Sequence, residues 1–351
     1  MEGKLMAIGQ DKCFLIDENK KVWWTDVNSY TGLPTSEFTL VPDMENLACV
    51  AVEATTHYLI LTDEGEVYSY GESFDGQLGW INSTIESVNK PRKIFLSNRI
   101  MDVAAGRNFS LMLDENGCVW VCGNNSSGKL GCVTQERKQT IPLQLENLPK
   151  ISAVSAGCDH SLLLDVNGNV WAFGANGYGQ LGLGIAAPTT VKVPTLVVLP
   201  PIAAIAAGNL FSLFLDKEGF AWGCGSNANA GCLESDTIRM EPHKMEYLPK
   251  VVSICAASNG SFISEAGELY STHYGDVKLH ISPAQHKVCK QASKICEDIV
   301  AVASGIVSQL ILDSNFAVFL RTASNTIPQK IQTPQMGRAS REMKSANKLL
   351  S

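Results

Sequence analysis

The sequence has few features of a secreted or metal-stabilised protein. Its eleven cysteines are an odd number and include no CxxC pair, which argues against a disulfide framework and a zinc ribbon. The first residues, MEGKLMAI, lack the charged and then apolar pattern of a secretory leader. We therefore expect a reducing compartment, namely the cytoplasm, with the nucleus as a second location.

Charged residues are also scarce, at 18% of 351 residues, and the formal net charge is −7. This balance excludes a chain-wide basic surface, so no direct binding to nucleic acid is expected. The balance is uneven, because residues 321–351 contain six basic side chains and a single acid, Glu342. We expect residues 334–351 to form a basic, disordered tail.

Motifs of catalysis and of metal binding are missing as well. The sequence contains no nucleophile elbow, Walker loop or HExxH. The GxGxxG at 177–182 would indicate a dinucleotide site only between a strand and a helix, and its partial copies elsewhere favour a recurring turn. His273, His280 and His286 have spacings that match no compact metal motif. We expect no cofactor, no metal and no catalytic chemistry of the chain's own.

One stretch, residues 195–215, is long and uncharged enough to resemble a membrane span. It contains Pro200 and Pro201, and its register matches charged stretches elsewhere in the chain. We interpret it as two buried β-strands joined at the proline pair, and we expect no membrane span.

The sequence contains a strong internal repeat. Residues 106–131, 157–182 and 208–233 align at a constant offset of 51 residues, as in GRNFSLMLDENGCVW and GCDHSLLLDVNGNVW. An earlier copy begins at residue 54, and weaker copies begin at 9, 257 and 305. Units of about 50 residues indicate a solenoid, a propeller or an array.

Each unit predicts a small four-stranded β-sheet. A short apolar run ends in Gly, a strand such as SLLLD follows, and a turn such as VNG leads to an aromatic strand such as VWAFG. Such a sheet cannot bury both faces alone, so the sheets must stack. The fold class is therefore all-β, a seven-bladed β-propeller of antiparallel blades closed by the N- and C-terminal strands. Residues 327–333 are predicted to complete the blade that residues 4–9 begin.

The repeats resemble those of the regulator of chromosome condensation family. The resemblance rests on the AAG-x-x-His-Ser-Leu strand and on the GxGQLG turn that follows an aromatic-Gly strand. It covers about residues 4–333, so we assign 1–333 to the propeller. The family implies a protein-binding scaffold, and its founding member implies nucleotide exchange on a Ran-like small GTPase.

Two repeated residue types have a structural interpretation. A tryptophan recurs at one slot, which predicts packing between blades, and removing one should cost ~3–5 kcal/mol of stability; these are Trp23, Trp120, Trp171 and Trp222. An aspartate recurs at the start of each hairpin turn, where turn chemistry explains it; these are Asp17, Asp63, Asp114, Asp165, Asp216 and Asp313. The repeated histidines His57 and His160 are expected to be buried and satisfied.

The residues after each repeat glycine should form a ring around the propeller axis. They vary between repeats while their flanks do not, which fits either a binding surface or loops that are free to drift. The candidate partner-binding residues are Asp11, Thr56, Arg107, Asn108, Asp159, Asn209, Leu210 and Asn259. Arg107, Asp159 and Leu210 offer a cation, an anion and an apolar group of the kind that protein interfaces use.

Two functions remain open from the sequence. The first is a protein–protein interaction module, a rigid scaffold that holds a regulatory protein on one face. The second is a guanine-nucleotide exchange factor, which needs no catalytic triad. Repeats of 45 to 52 residues leave little room for the inserted β-wedge of the founding member. We expect a monomer.

Overall fold

The computed structural model describes residues 5–28, 33–80, 87–133, 136–226, 238–272, 293–296, 299–304, 308–313, 317–322 and 329–332. These residues form β-strands joined by turns, and no helix occurs within them. The strands assemble into seven four-stranded sheets in the described part of the chain. The all-β, seven-bladed prediction is therefore confirmed.

The first three blades use the strands up to residue 144. Blade 1 contains β1 (Met6–Ile8), β2 (Lys12–Ile16), β3 (Val22–Asp26) and β4 (Thr39–Leu40). Blade 2 contains β5 (Cys49–Ala54), β6 (His57–Thr62), β7 (Val67–Glu72) and β8 (Ser87–Ile94). Blade 3 contains β9 (Ile100–Gly106), β10 (Phe109–Asp114), β11 (Val119–Asn124) and β12 (Lys138–Gln144).

The remaining four blades follow in the same order. Blade 4 contains β13 (Ile151–Ala156), β14 (His160–Asp165), β15 (Val170–Ala175) and β16 (Thr190–Val197). Blade 5 contains β17 (Ile202–Ala207), β18 (Phe211–Asp216), β19 (Ala221–Ser226) and β20 (Ile238–Lys244). Blade 6 contains β21 (Val251–Ala256), β22 (Gly260–Ser264), β23 (Leu269–Ser271) and β24 (Ser293–Cys296). Blade 7 contains β25 (Ile299–Ser304), β26 (Ser308–Asp313), β27 (Val318–Thr322) and β28 (Gln329–Lys330).

The ring closes where the first blade meets the last. β1 packs against β25 and β26, and Met6 and Ile8 share an apolar cluster with Leu312. The terminal strands thus lie at the closure, but the prediction that the C-terminus completes the N-terminal blade was wrong. β28 pairs with β27, and the outer position of blade 1 is already occupied by β4. Side-chain packing between complete blades closes the ring.

The second strand of a blade lies in the middle of the core. β14 is buried at every position, whereas the outer strand β12 contains only exposed and half-buried residues. A strand covered on both faces by neighbouring sheets is expected to contain an unbroken apolar run, as Leu162, Leu163 and Leu164 form in β14. The uncharged stretch at 195–215 is explained in this way, since it spans the end of β16, all of β17 and most of β18. The proline pair joins β16 to β17, and no helix in the described residues is long and apolar enough to cross a membrane.

The hairpin between the second and third strands is built on one aspartate. In blade 4, Asp165 Oδ1 accepts hydrogen bonds from the backbone N–H groups of Asn167 and Asn169, at 2.8 and 2.9 Å. Gly168 adopts a φ of 90° at the reversal, which a residue with a side chain rarely tolerates. Asp165 Oδ2 accepts from the indole Nε1 of Trp171 at 3.4 Å. The same indole–aspartate bond occurs in blades 1, 3 and 5, so the two repeated residue types are partners.

Blades 2 and 6 replace this pair with a different set. In blade 2, Thr62 Oγ1 accepts from the Glu66 N–H at 3.1 Å, and Glu66 accepts from the Tyr68 hydroxyl. Blade 6 repeats the arrangement with Ser264, Glu268 and Tyr270. Asp63 is therefore not the residue that opens its hairpin, because Thr62 occupies that position. The side chain of Asp313 lies outside the described residues.

Candidate functional site on the ring face

The antiparallel order of each blade sends two of its turns to the same end of the propeller. These are the turn between the first and second strands, near the axis, and the loop between the third and fourth strands, further out. We call this end the ring face. The opposite end, the hairpin face, carries the turns between second and third strands and the connections between blades. All predicted partner-binding residues belong to the ring face.

Hydrogen bonds link the ring residues of one blade to those of the next. The backbone N–H of Gln10 donates to Thr55 O at 3.0 Å, and that of Asn209 donates to Ala257 O at 2.8 Å. Side chains add to this belt: Thr56 Oγ1 donates to Asn108 Oδ1 at 3.2 Å. These residues therefore help to hold neighbouring blades together and are not loops free of contacts.

The predicted ring residues differ in exposure. Arg107 and Asp11 are exposed, and Asp11 accepts a hydrogen bond from the Tyr58 hydroxyl. The remaining predicted residues are half-buried: Thr56, Asn108, Asp159, Asn209, Leu210 and Asn259. Asn209 Nδ2 donates to Ser258 Oγ at 3.1 Å, whereas Asn259 Oδ1 is buried and has no hydrogen-bond partner among the described residues. The ring positions of blade 7, 306 and 307, lie outside the described residues.

A charged cluster joins blades 3 and 4 at this face. Arg107 Nη2 pairs with Asp159 Oδ2, and Lys129 Nζ lies 2.7 Å from Asp159 Oδ1. Lys129 also donates to the backbone carbonyl of Arg107 at 3.0 Å. The Lys129 side chain is only 3% exposed, whereas that of Arg107 is 57% exposed. One carboxylate is thus held by a buried ammonium and in turn orients a guanidinium at the surface.

Lys129 was missed by the sequence analysis, although a signal exists. The GxGQLG turn has glutamine at this position in blades 2 and 4, as Gln77 and Gln180. Those glutamines accept a backbone N–H within their own loop. Lysine cannot accept a hydrogen bond, so Lys129 turns to the carboxylate of the next blade. A departure from the repeat therefore marks the cluster.

Two exposed aromatic side chains on the outer loops were also missed. Phe74 in blade 2 is 54% exposed and Tyr178 in blade 4 is 45% exposed. The residue after Phe74, Asp75, accepts a hydrogen bond from Asn108 Nδ2 at 3.1 Å, which ties its loop to the ring. The ring face of blades 2 to 4 thus presents a guanidinium with aromatic rings on the loops of the flanking blades.

The family model for the RCC1-like domain matches residues 3–306. The chain belongs to this family. Among individual proteins, human Protein RCC2 is 31% identical over 235 residues, which are 58% of this chain and 43% of that protein. The human E3 ubiquitin-protein ligase HERC2 is 26% identical over 296 residues, 78% of this chain and 6% of that protein. The chain therefore spans less than half the length of these relatives.

Solved structures share the fold of this RCC1-like domain. Prp20p from Saccharomyces cerevisiae matches with a TM-score of 0.73 and 23% identity, over 98% of this chain and 85% of that one. Human WBSCR16 matches with a TM-score of 0.74 and 18% identity, over 86% of each chain. At these sequence identities, the similarity shows that the chains share the propeller fold.

Beneath the ring face of the domain, two histidines connect neighbouring blades. His57 Nε2 lies 2.7 Å from Ser110 Oγ, and His160 Nε2 lies 2.9 Å from Ser212 Oγ. Each serine donates its proton to a backbone carbonyl, so it accepts from a protonated Nε2. Burial lowers the pKa of His57 to about 3 and that of His160 to about 4. Both imidazoles are neutral structural groups at physiological pH.

Side chains that could bind a metal or act as nucleophiles are not assembled in the described part of the domain. No group of three or more His, Cys, Asp or Glu side chains is placed to hold a metal ion there. Burial raises the pKa of Cys49 and Cys122 to about 12, which disfavours the reactive thiolate. His273, His280 and His286 lie outside the described residues.

Proposed function

We propose that this RCC1-like domain is a protein-interaction module that binds a regulatory protein through the ring face, in the cytoplasm or the nucleus. The observation that carries the proposal is the cluster of Lys129, Asp159 and Arg107. Arginine and aromatic side chains dominate binding energy at protein interfaces. The exposed Arg107, Phe74 and Tyr178 supply these residue types on one face.

Preorganisation makes this face suitable for binding. Ordering a long side chain on association costs about 0.5–1.5 kcal/mol, and the pair with Asp159 already restricts Arg107. Asp159 is itself fixed by buried Lys129, and the belt of hydrogen bonds between blades restrains the backbone beneath. A partner carboxylate that meets the free edge of the guanidinium would therefore find it in place.

Guanine-nucleotide exchange on a small GTPase is the alternative activity of the same face. It is supported by the shared fold with Prp20p, whose reported structure concerns binding to Gsp1p and histones. Exchange requires only a surface that favours the nucleotide-free GTPase over the loaded one. The same face would then bind the GTPase as its regulatory partner.

Reversing the charge of Arg107 should weaken partner binding at a cost in stability of about 1 kcal/mol or less, because the lost pair with Asp159 is largely exposed. We expect Arg107→Glu to lower affinity by about 10-fold to 100-fold, because a like charge would then face the partner's carboxylate. The matched control is Lys150→Glu, which makes the same charge change at an exposed position of the connection between blades 3 and 4, on the opposite face. Lys129 and Asp159 are left unchanged, because removing either would leave a buried charge unpaired.

The measurement has two readouts. Quantitative affinity capture from cells should identify proteins that the wild type and Lys150→Glu retain and that Arg107→Glu loses. Release of a fluorescent guanine nucleotide from Ran and other small GTPases then separates the two functions, since only an exchange factor accelerates it. An unchanged set of bound proteins with Arg107→Glu would disprove the ring-face proposal.

A further inference from the structure

The junction between blades 1 and 2 departs from the repeat at the ring face. In blades 3, 4 and 5 a histidine or phenylalanine begins the second strand and a serine follows it, as in His160 and Ser161. Blade 1 has Lys12 in the first of these slots, and blade 2 has Tyr58 in the second. Blade 1 also has Asp26 opposite Lys12, where blades 2 to 5 have the glycine of the aromatic-Gly strand. Charged and phenolic groups thus replace the histidine–serine contact that links other blades.

Two tyrosines of blade 2 lie together at this junction. Tyr58 and Tyr70 are opposite one another on adjacent strands, and their ring centroids are 4.7 Å apart. The Tyr58 hydroxyl donates to Asp11 of blade 1. Tyr70 is only 2% exposed, and its hydroxyl has no hydrogen-bond partner among the described residues. A buried hydroxyl of this kind is unfavourable, so Tyr70 favours a ligand that offers it a hydrogen bond.

Three carboxylates lie near these two hydroxyls. Burial and then the charges of Asp11, Glu72 and Asp26 raise the pKa of Tyr58. Burial, the neighbouring Tyr58 and the charges of Asp11 and Asp26 raise the pKa of Tyr70. Neither Asp11 nor Glu72 forms an ion pair with a described residue. We call Asp11, Asp26, Glu72, Tyr58 and Tyr70 the acidic notch.

Lys12 shows how a cation packs beside the acidic notch. Its Nζ pairs with Asp26 and lies 4.3 Å from the centroid of the Trp24 ring. Trp24 in turn packs edge-on against Tyr70, with ring centroids 5.5 Å apart. A cation at this junction therefore gains from both a carboxylate and an aromatic face. The other two carboxylates of the notch are left without an ion pair.

We propose that the acidic notch binds a basic side chain, arginine or lysine, of the protein partner. This inference rests on the proposed function, because it requires a protein on the ring face. Two carboxylates without ion pairs provide charge complementarity to a cation, and the Tyr70 hydroxyl can accept a hydrogen bond from its N–H group. A metal ion is disfavoured, since no three His, Cys, Asp or Glu side chains of the described residues are placed to hold one. The partner's surface would then carry a base for the notch and an acid for Arg107.

The probe for the notch is a short peptide with one arginine among glycines and serines. The comparison peptide has citrulline instead, which keeps the shape of arginine and lacks its charge. Binding is followed by fluorine NMR of the purified domain labelled with fluorotryptophan, in which Trp24→Phe assigns the signal of Trp24. We expect the arginine peptide to shift this signal with the millimolar affinity of a single side chain, and the citrulline peptide to leave it unchanged.

Variants of the notch separate charge from the free hydroxyl. Asp11→Asn/Glu72→Gln should weaken binding of the arginine peptide by about 10-fold or more, because two attractions are lost with little change of size. Tyr70→Phe should weaken it by about 5-fold to 10-fold without lowering the melting temperature, since no hydrogen bond among the described residues is lost. The matched control is Glu115→Gln/Glu146→Gln, which removes the same charge at exposed positions of the hairpin face and should bind as the wild type does.

The proposal is overturned if the arginine peptide does not bind, if the citrulline peptide binds equally well, or if the control weakens binding as much as Asp11→Asn/Glu72→Gln. Competition by calcium at lower concentrations than the peptide would also overturn it, in favour of a metal site. Melting temperatures identify a variant that misfolds, and Tyr70→Phe then decides. Because this readout uses no cellular partner, it fails independently of the capture experiment: a partner that depends on Arg107 without any arginine binding would remove the notch and leave the ring-face proposal.

Discussion

Acidification from about pH 7 to about pH 5 should lower the free energy of unfolding by about 4 kcal/mol. The loss comes from His57 and His160, which are buried between blades as neutral imidazoles. Each would have to bring a positive charge into a buried site, and the cost of that burial exceeds the partial stabilisation that Asp159 offers to His160.

The direction follows from the pKa values. Burial lowers the pKa of His57 to about 3 and of His160 to about 4, below the ordinary value of 6.5. Between these values the unfolded chain binds a proton at each histidine and the folded protein does not. Stability is therefore complete above about pH 6.5 and falls by about 1.4 kcal/mol per pH unit for each histidine as the pH decreases.

The repeat itself supplies the control variant. Phenylalanine occupies the same slot in blades 3 and 5, as Phe109 and Phe211. The variant His57→Phe/His160→Phe should fold and should lose most of the dependence on pH between about 5 and 7. Urea unfolding at several pH values measures both proteins. If the double variant keeps the full acid sensitivity, the histidines are not its origin.

The carboxylates of the hairpin turns do not contribute to the change in stability between about pH 5 and pH 7. Burial opposes ionisation of Asp114 and Asp165, but hydrogen bonds from Asn98 and Asn169 and from backbone N–H groups hold their pKa values below the ordinary 3.8. Groups of this kind contribute stability above their unfolded pKa and lose it only as the pH falls through the lower folded value. The change between about pH 5 and 7 therefore reports the histidines.

The period of the sequence made the architecture predictable, because a unit that cannot bury its own faces has to stack. Seven units and their strand order follow from that argument, and the structure confirms them. The way in which the ring closes could not be predicted from the sequence. The segment 327–333 looks like an outer strand of any blade, and only the pairing of Lys330 with Phe319 shows which blade it joins.

The site illustrates a second limit. Ring positions can be located from the repeat, but their contacts are between blades and depend on which side chain faces which. The pairing of Arg107 with Asp159 joins residues 52 positions apart, and Lys129 joins them from a loop that reads as ordinary turn sequence. Asp63 was placed wrongly for a different reason, since blade 2 aligns with blade 4 without a gap and Thr62, not Asp63, stands opposite Asp165.

Removing the indole of Trp171 should be the most damaging single substitution of a repeated side chain. Trp171 packs against the apolar cluster between blades 3 and 4, and its Nε1 donates to Asp165, the acceptor that holds the hairpin. Because the ring is partly rather than fully buried, we expect Trp171→Ala to cost about 3 kcal/mol, the lower end for such truncations.

The two contributions of Trp171 can be separated. Trp171→Phe keeps an aromatic ring but removes the donor to Asp165, and should cost about 1 kcal/mol, the net value of one hydrogen bond. Phe95→Ala is the control, because Phe95 is 86% exposed and its loss should change stability by less than about 0.5 kcal/mol. Chemical denaturation measures all three variants. Equal losses for Trp171→Ala and Phe95→Ala would show that the repeated tryptophan is not part of the packing between blades, and its recurrence would then need an explanation in binding.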